Sequence, residues 1–228
     1  MIARLVPGFT YSEGDYPGEA MPTLERGYAL AVSLDVPYFI LVAASGLALA
    51  YARAGRTNEA VQLARLGAEI AGSSRSWWGS GRMAVIRGEA LLTAGCVDEA
   101  REQAAFAMET SKARRERGSE AYTRWLLAEI AVARGPADPH EAEARYREAL
   151  ALTEELEMRP LQARCHLGLG KLYRRIGRLD ESRAELATAV AMLREMGMAF
   201  WLPEAERELA GRVDSACAIS LTVTMPWR

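Results

Sequence analysis

The 228 residues carry 28 basic and 30 acidic side chains, a formal net charge of −2, which argues against the strongly basic footprint of a nucleic-acid binder. Half the residues are apolar but only 7% are aromatic, so the core must come mainly from Ala, Leu, Val and Ile, which suits closely packed helices and disfavours β architectures. Three scattered cysteines, Cys96, Cys165 and Cys217, argue for free thiols in a reducing compartment, so the expected location is cytoplasmic.

From the N-terminus, Met1-Ile2-Ala3-Arg4-Leu5-Val6-Pro7 lacks the apolar run of about 7–15 residues that a secretory signal needs. Residues 1–38 read as a partial repeat whose helix contains Glu25-Arg26-Gly27-Tyr28-Ala29-Leu30-Ala31-Val32. The uncharged stretch Val36 to Ala52 is shorter than the ~20 residues that cross a bilayer and is interrupted by Ser45 and Gly46, which predicts a buried helix and no membrane span.

Residues 39–197 hold four copies of one pattern. Turn glycines fall at Gly55, Gly95, Gly135 and Gly177, and the small residues opening the next helix at Ala60, Ala100, Ala142 and Ser182 keep the same register. Small residues also recur before the glycine (Ala48, Gly88, Ala128, Gly170) and late in the second helix (Gly67, Ala107, Ala149, Ala189), which lets helix backbones approach closely. The third copy is lengthened in Pro136-Ala137-Asp138-Pro139, where Asp138 as cap, Pro139 in the first turn and Glu141 three residues after the cap predict a helix start. Residues 198–211 read as a charged, solvating capping helix, and the tail 212–228 as a frayed terminus.

His166-Leu167-Gly168-Leu169-Gly170-Lys171-Leu172-Tyr173, closing on Gly177, resembles the tetratricopeptide signature. With Ala142 to Leu150 and Met192 to Trp201, it is similar to the C-terminal repeat arrays of bacterial multidomain signalling ATPases and class III adenylate cyclases. The resemblance implies an all-α, tetratricopeptide-like superhelical solenoid of eight to ten antiparallel helices with repeats of about 40 residues, a period lengthened as in those arrays. The nucleotide-binding and cyclase parts of those proteins are not in this sequence, and Arg87 stands at a core position that is usually apolar.

Motifs for chemistry fail on spacing. Gly168-Leu169-Gly170-Lys171 lacks the phosphate-loop spacing and falls inside a helix, and His140-Glu141 is followed by Ala144 where a zinc-protease helix needs its second histidine. Cys165 and His166 are neighbours about 100° apart on a helix, the wrong geometry for a nucleophile and its base. No catalytic group, metal site or cofactor is expected, so an enzyme is the least favoured reading.

The resemblance instead places a concave binding face on first-helix residues: Val42, Ser45, Leu49 and Ala52, then Arg82, Val85, Glu89 and Leu92, then Tyr122, Trp125, Glu129 and Val132, then Arg164, Leu167, Lys171 and Arg174. Glu89, Tyr122, Trp125, Glu129, Arg164, Lys171, Arg174 and Arg175 are the candidate partner-binding residues. The aromatics would serve as anchors and the basic cluster would hold an acidic protein or peptide. The plainer reading pairs that cluster with Glu181 or Glu185 on a solvated surface. Trp77 and Trp78 are candidates for an interface, and the N-terminal repeat face for homodimerisation. The expected function is therefore a protein-binding scaffold or regulatory docking module; the alternative is a small-molecule-sensing regulatory arm with a pocket near Trp125 and Tyr122.

Overall fold

The computed structural model describes residues 17–73, 80–135 and 139–211. Among them are ten helices and no strand. Helix α1 (Pro17–Ser33) precedes four pairs: α2 (Pro37–Arg53) with α3 (Thr57–Ser73), α4 (Ser80–Thr93) with α5 (Val97–Arg114), α6 (Arg117–Ala133) with α7 (Pro139–Glu155), and α8 (Arg159–Arg175) with α9 (Leu179–Glu195). The short α10 (Leu202–Leu209) follows. Consecutive helices pack on each other, and α2, α4, α6 and α8 also touch in sequence, giving a repeat-like wall of first helices.

The uncharged stretch from Val36 is α2, in which ten of seventeen residues are buried. No helix among the described residues is long and apolar enough to cross a membrane. The expected helix start at Pro139 is where α7 begins, whereas Asp138, Trp77, Trp78, Cys217 and the tail 212–228 lie outside the described residues.

The turn glycines earn their place by backbone geometry. Gly55, Gly95, Gly135 and Gly177 have φ of 76°, 84°, 104° and 81°, in the left-handed region that closes a helix without a Cβ clash. The turns leading into α2, α6 and α8 use the same region at Asp35, Arg115 and Glu157 instead.

Repetition extends to side chains. Tyr51 donates to Glu25 at 2.8 Å and carries the Arg56 guanidinium over its ring at 3.7 Å, while Arg56 also grips Glu59. Three copies later, Tyr173 donates to Glu143 at 2.6 Å under Arg178 at 4.2 Å, and Arg178 grips Glu181. One register of tyrosine, turn glycine, arginine and glutamate thus builds the same cation–π and ion-pair network twice.

Gly168 and Gly170 are packing residues within α8. A Cβ on Gly168 would lie 2.4 Å from the Tyr146 ring, and one on Gly170 would lie 2.6 Å from Leu186. The out-of-pattern Arg87 is 1% exposed, donates to Gln103 at 3.0 Å and Ser45 at 3.3 Å, and fits because Gly67 opposite it has no side chain. Burial pushes its pKa down to about 10.

Gly95→Ala should lower stability by about 1 kcal/mol, since it forces a Cβ into the left-handed region. Gly72→Ala, in the last turn of α3 with open space around it, should leave stability unchanged or raise it by up to about 1 kcal/mol. Urea unfolding of both variants checks the pair; equal effects would contradict the turn assignment.

Candidate functional site

Helix α4 places Glu89 near its C-terminal end, on the face turned toward the other first helices. Its Oε1 accepts from Arg53 Nη2 at 2.8 Å and from Arg164 Nη2 at 2.8 Å, joining α2, α4 and α8 across 36 and 75 residues of sequence. Side-chain exposure is 9% for Glu89, 8% for Arg164 and 14% for Arg53, so the three charges sit largely out of water. Burial alone would raise the Glu89 carboxyl, but Arg164 and then Arg53 outweigh it and hold it down at about 2, against an ordinary 4.5.

Two cations on one carboxylate leave an excess of positive charge, and aromatic faces meet it. The Arg164 guanidinium lies 3.7 Å from the Trp125 ring centre and 4.6 Å from that of Trp201. Arg53 lies 4.9 Å from Phe200 and 5.1 Å from Trp201, and these two rings meet edge to face at 4.9 Å. Arg82 stacks on Tyr122 at 3.6 Å. On the far side, Tyr146 donates to Glu129 at 2.7 Å; burial raises the Glu129 carboxyl against the pull of that bond, Lys171 and Arg164.

The four α8 candidates divide. Lys171 donates to Glu204 at 2.6 Å, and Arg174 donates to Glu208 Oε2 at 3.1 Å and to the Glu208 carbonyl at 2.8 Å, all on α10. These side chains remain 23–35% exposed, unlike the sealed Glu89 group. Arg164 belongs to that buried group. Arg175 is exposed, and its charge acts on Tyr146 of α7, so it does not join the row.

Several expectations are corrected by this geometry. Trp125 is 5% exposed under Arg164, and its Nε1 and the Arg164 Nε are buried without a hydrogen-bond partner in the described structure, so this indole is not an open anchor. Glu89 and Arg164 are likewise taken up internally. Neither Glu181 nor Glu185 neutralises the basic cluster: Glu181 holds Arg178, and Glu185 lies 2.6 Å from His166 Nδ1. Helix α10 is more than a solvating cap, because Glu204, Glu206 and Glu208 pair with Lys171, Arg194 and Arg174.

Arg53, Phe200 and Trp201 were not among the residues singled out by spacing. Arg53 had a signal, being the one charge in α2. The aromatic pair had none that specified a contact with α2, 147 residues away. Cys165 is fully buried, with a thiol pushed up to about 12 by burial, while His166 turns to Glu185. Among the described residues no group of three or more His, Cys, Asp or Glu could hold a metal ion. At the N-terminal end, Val32 and Leu34 are 48% and 52% exposed, and a cleft of about 410 Å³ lined by Tyr28, Leu47, Tyr51 and Leu63 opens between α1 and α3.

Glu89→Gln would leave two guanidinium groups buried without their carboxylate, and should cost about 3 kcal/mol at neutral pH. Because the folded-state pKa of Glu89 is depressed, its contribution is complete above 4.5 and is lost as pH falls from there toward 2. Urea unfolding between pH 2 and 7 should therefore show a steeper acid loss for the native chain than for Glu89→Gln. Parallel curves would contradict the role of the carboxylate.

No family model matches the chain, and neither does any curated protein. Among solved structures, BtubC (BKLC) from P. vanneervenii is similar in fold, with a TM-score of 0.58 over 93% of this chain and 100% of that one, at 17% sequence identity.

Proposed function

We propose that the chain is a tetratricopeptide-like solenoid acting as a protein-binding scaffold or docking module, with recognition at the C-terminal end of its first-helix wall. The repeat-like packing and the four-copy register support the solenoid reading. Within it the wall α2, α4, α6, α8 is the concave side.

The observation that carries the binding site is the contrast between the buried charges of that wall and the partly exposed ones near the C-terminal end of α8. Around Glu89 the charges are sealed from water and held by ion pairs and stacked rings, which makes a rigid support. At Lys171 and Arg174 the cations stay partly exposed, and each holds a carboxylate from an acidic helical segment. Charge-assisted bonds of this kind grip acidic side chains while rigid neighbours fix their spacing. Tyr122 and Glu129, half-buried on α6, lie next along the wall and would set polarity beside the basic end.

Affinity capture from a bacterial lysate, followed by rebinding of each purified captured protein, tests this with the native chain and a Lys171→Glu/Arg174→Glu variant. A partner should bind the variant at least about tenfold more weakly, or about 1.4 kcal/mol, and should weaken with added salt. Equal binding by both chains would overturn the assignment of the basic end.

A further inference from the structure

The acidic segment already seated on the basic end describes what else would fit there. Residues 200–208 offer an aromatic pair, Phe200-Trp201, then Glu204 and Glu208, three and seven positions after Trp201. On a helix, 204 and 208 are one turn apart and share a face, opposite Lys171 and Arg174, which are themselves one turn apart on α8. Trp201 rests against Arg164 and Arg53 at the same time. The indole, Glu204 and Glu208 therefore each have a built receptor on the wall, a guanidinium shelf for the ring and one cation for each of these two carboxylates, while Glu206 pairs with Arg194 of α9.

Helix α10 itself is held less tightly than the rest of the core, whereas Phe200 and Trp201 before it stack on Arg53 and Arg164, so an external occupant must bring an aromatic ring of its own to that shelf. Helix α10 has eight residues against seventeen in α2, α6 and α8, and a helix that short does not persist in water without its packing. Only Ala205 of α10 is fully buried, with Leu202 and Leu209 partly so, in a small apolar cluster separate from the main core. Its ion pairs are solvent-accessible and compete with water and salt.

We propose that residues 200–208 are an internal occupant of the docking site, and that the external ligand is an acidic helical segment of a partner protein with an aromatic residue followed by carboxylates at the third and seventh positions. This rests on the function proposed above and deepens it. Binding of such a segment displaces α10. Since α10 is tethered, it competes at an effective concentration on the order of millimolar, so the native chain takes an external segment more weakly than a chain whose α10 has lost its contacts.

The probe is a fluorescein-labelled synthetic peptide of residues 198–211, titrated against full-length native chain and against full-length Trp201→Ala/Glu204→Gln/Glu208→Gln. The expected result is at least about tenfold tighter binding to the triple variant. A peptide with both glutamates replaced by lysine should not bind either chain. If the triple variant fails to fold, as read by its helical circular dichroism, hydrogen exchange on the native chain decides instead: saturating peptide should speed amide exchange in 202–209 and leave α4 unchanged. Equal affinity for both chains, no binding to either, or binding without faster exchange in 202–209 would overturn the proposal. A captured partner that needs Lys171 and Arg174 yet leaves exchange in α10 unaltered would keep the docking function and remove only the displacement.

Discussion

A carboxylate removed from water must find compensating charge, and Glu89 finds it in two arginines that belong to different parts of the chain. Contacts between neighbouring helices fix only local geometry, so small errors in helix placement can accumulate along a stack. A single oxygen shared by Arg53 and Arg164 fixes α2, α4 and α8 against one another directly. The excess positive charge is spread onto the faces of Trp125, Trp201 and Phe200, which also draws the segment before α10 back toward α2. Removing the carboxylate would disturb all of these contacts together.

That arrangement divides the wall by solvent access. At the Glu89 group, where the charged side chains are only 8–14% exposed, the ion pairs and stacked rings specify structure, because breaking one leaves a charge stranded in a low-dielectric interior. Where exposure reaches a quarter to a third, at Lys171 and Arg174, water screens the same chemistry and each pair holds less strongly. Chemically similar arginines and glutamates thus lie sealed inside the fold at one point and within reach of water at another, and burial sets how strongly each pair holds.

Much of the fold was legible because it repeats. Turn glycines at a fixed period report positive φ, and small residues at fixed offsets report close helix contacts; both are local requirements that a sequence must meet copy by copy. The resemblance to tetratricopeptide repeats, carried over position by position, implied one shared face of the first helices for Glu89, Tyr122, Trp125, Glu129, Arg164, Lys171 and Arg174. Repeat positions could not say that Arg164 would turn to Glu89, because that bond depends on how α4 and α8 are placed across 75 residues of sequence. Arg175 was grouped with Arg174 by adjacency, although neighbours on a helix diverge by about 100°. Arg87 shows the reverse case: the apolar pattern is broken, and the structure accommodates it through Gly67, Gln103 and Ser45 on three neighbouring helices.

Helix α10 is the element whose role depended most on what it meets. Alone, its run of Glu204, Glu206, Arg207 and Glu208 has the composition of a solvent-facing end. Against α8 and α9, three of those four charges find oppositely charged partners. The left-handed positions before the first helices continue at Gly197, with φ of 66°, 40 residues after Glu157. By that register a further first helix would begin at 199, two residues after the left-handed position; residues 199–201 form a turn instead, and α10 begins at Leu202 and stops after eight residues. A full-length helix there would have extended the wall with buried contacts of its own; the short one adds carboxylates and little buried surface. The last helix among the described residues is therefore short and little buried, and it lies across Lys171 and Arg174, cations that water still reaches.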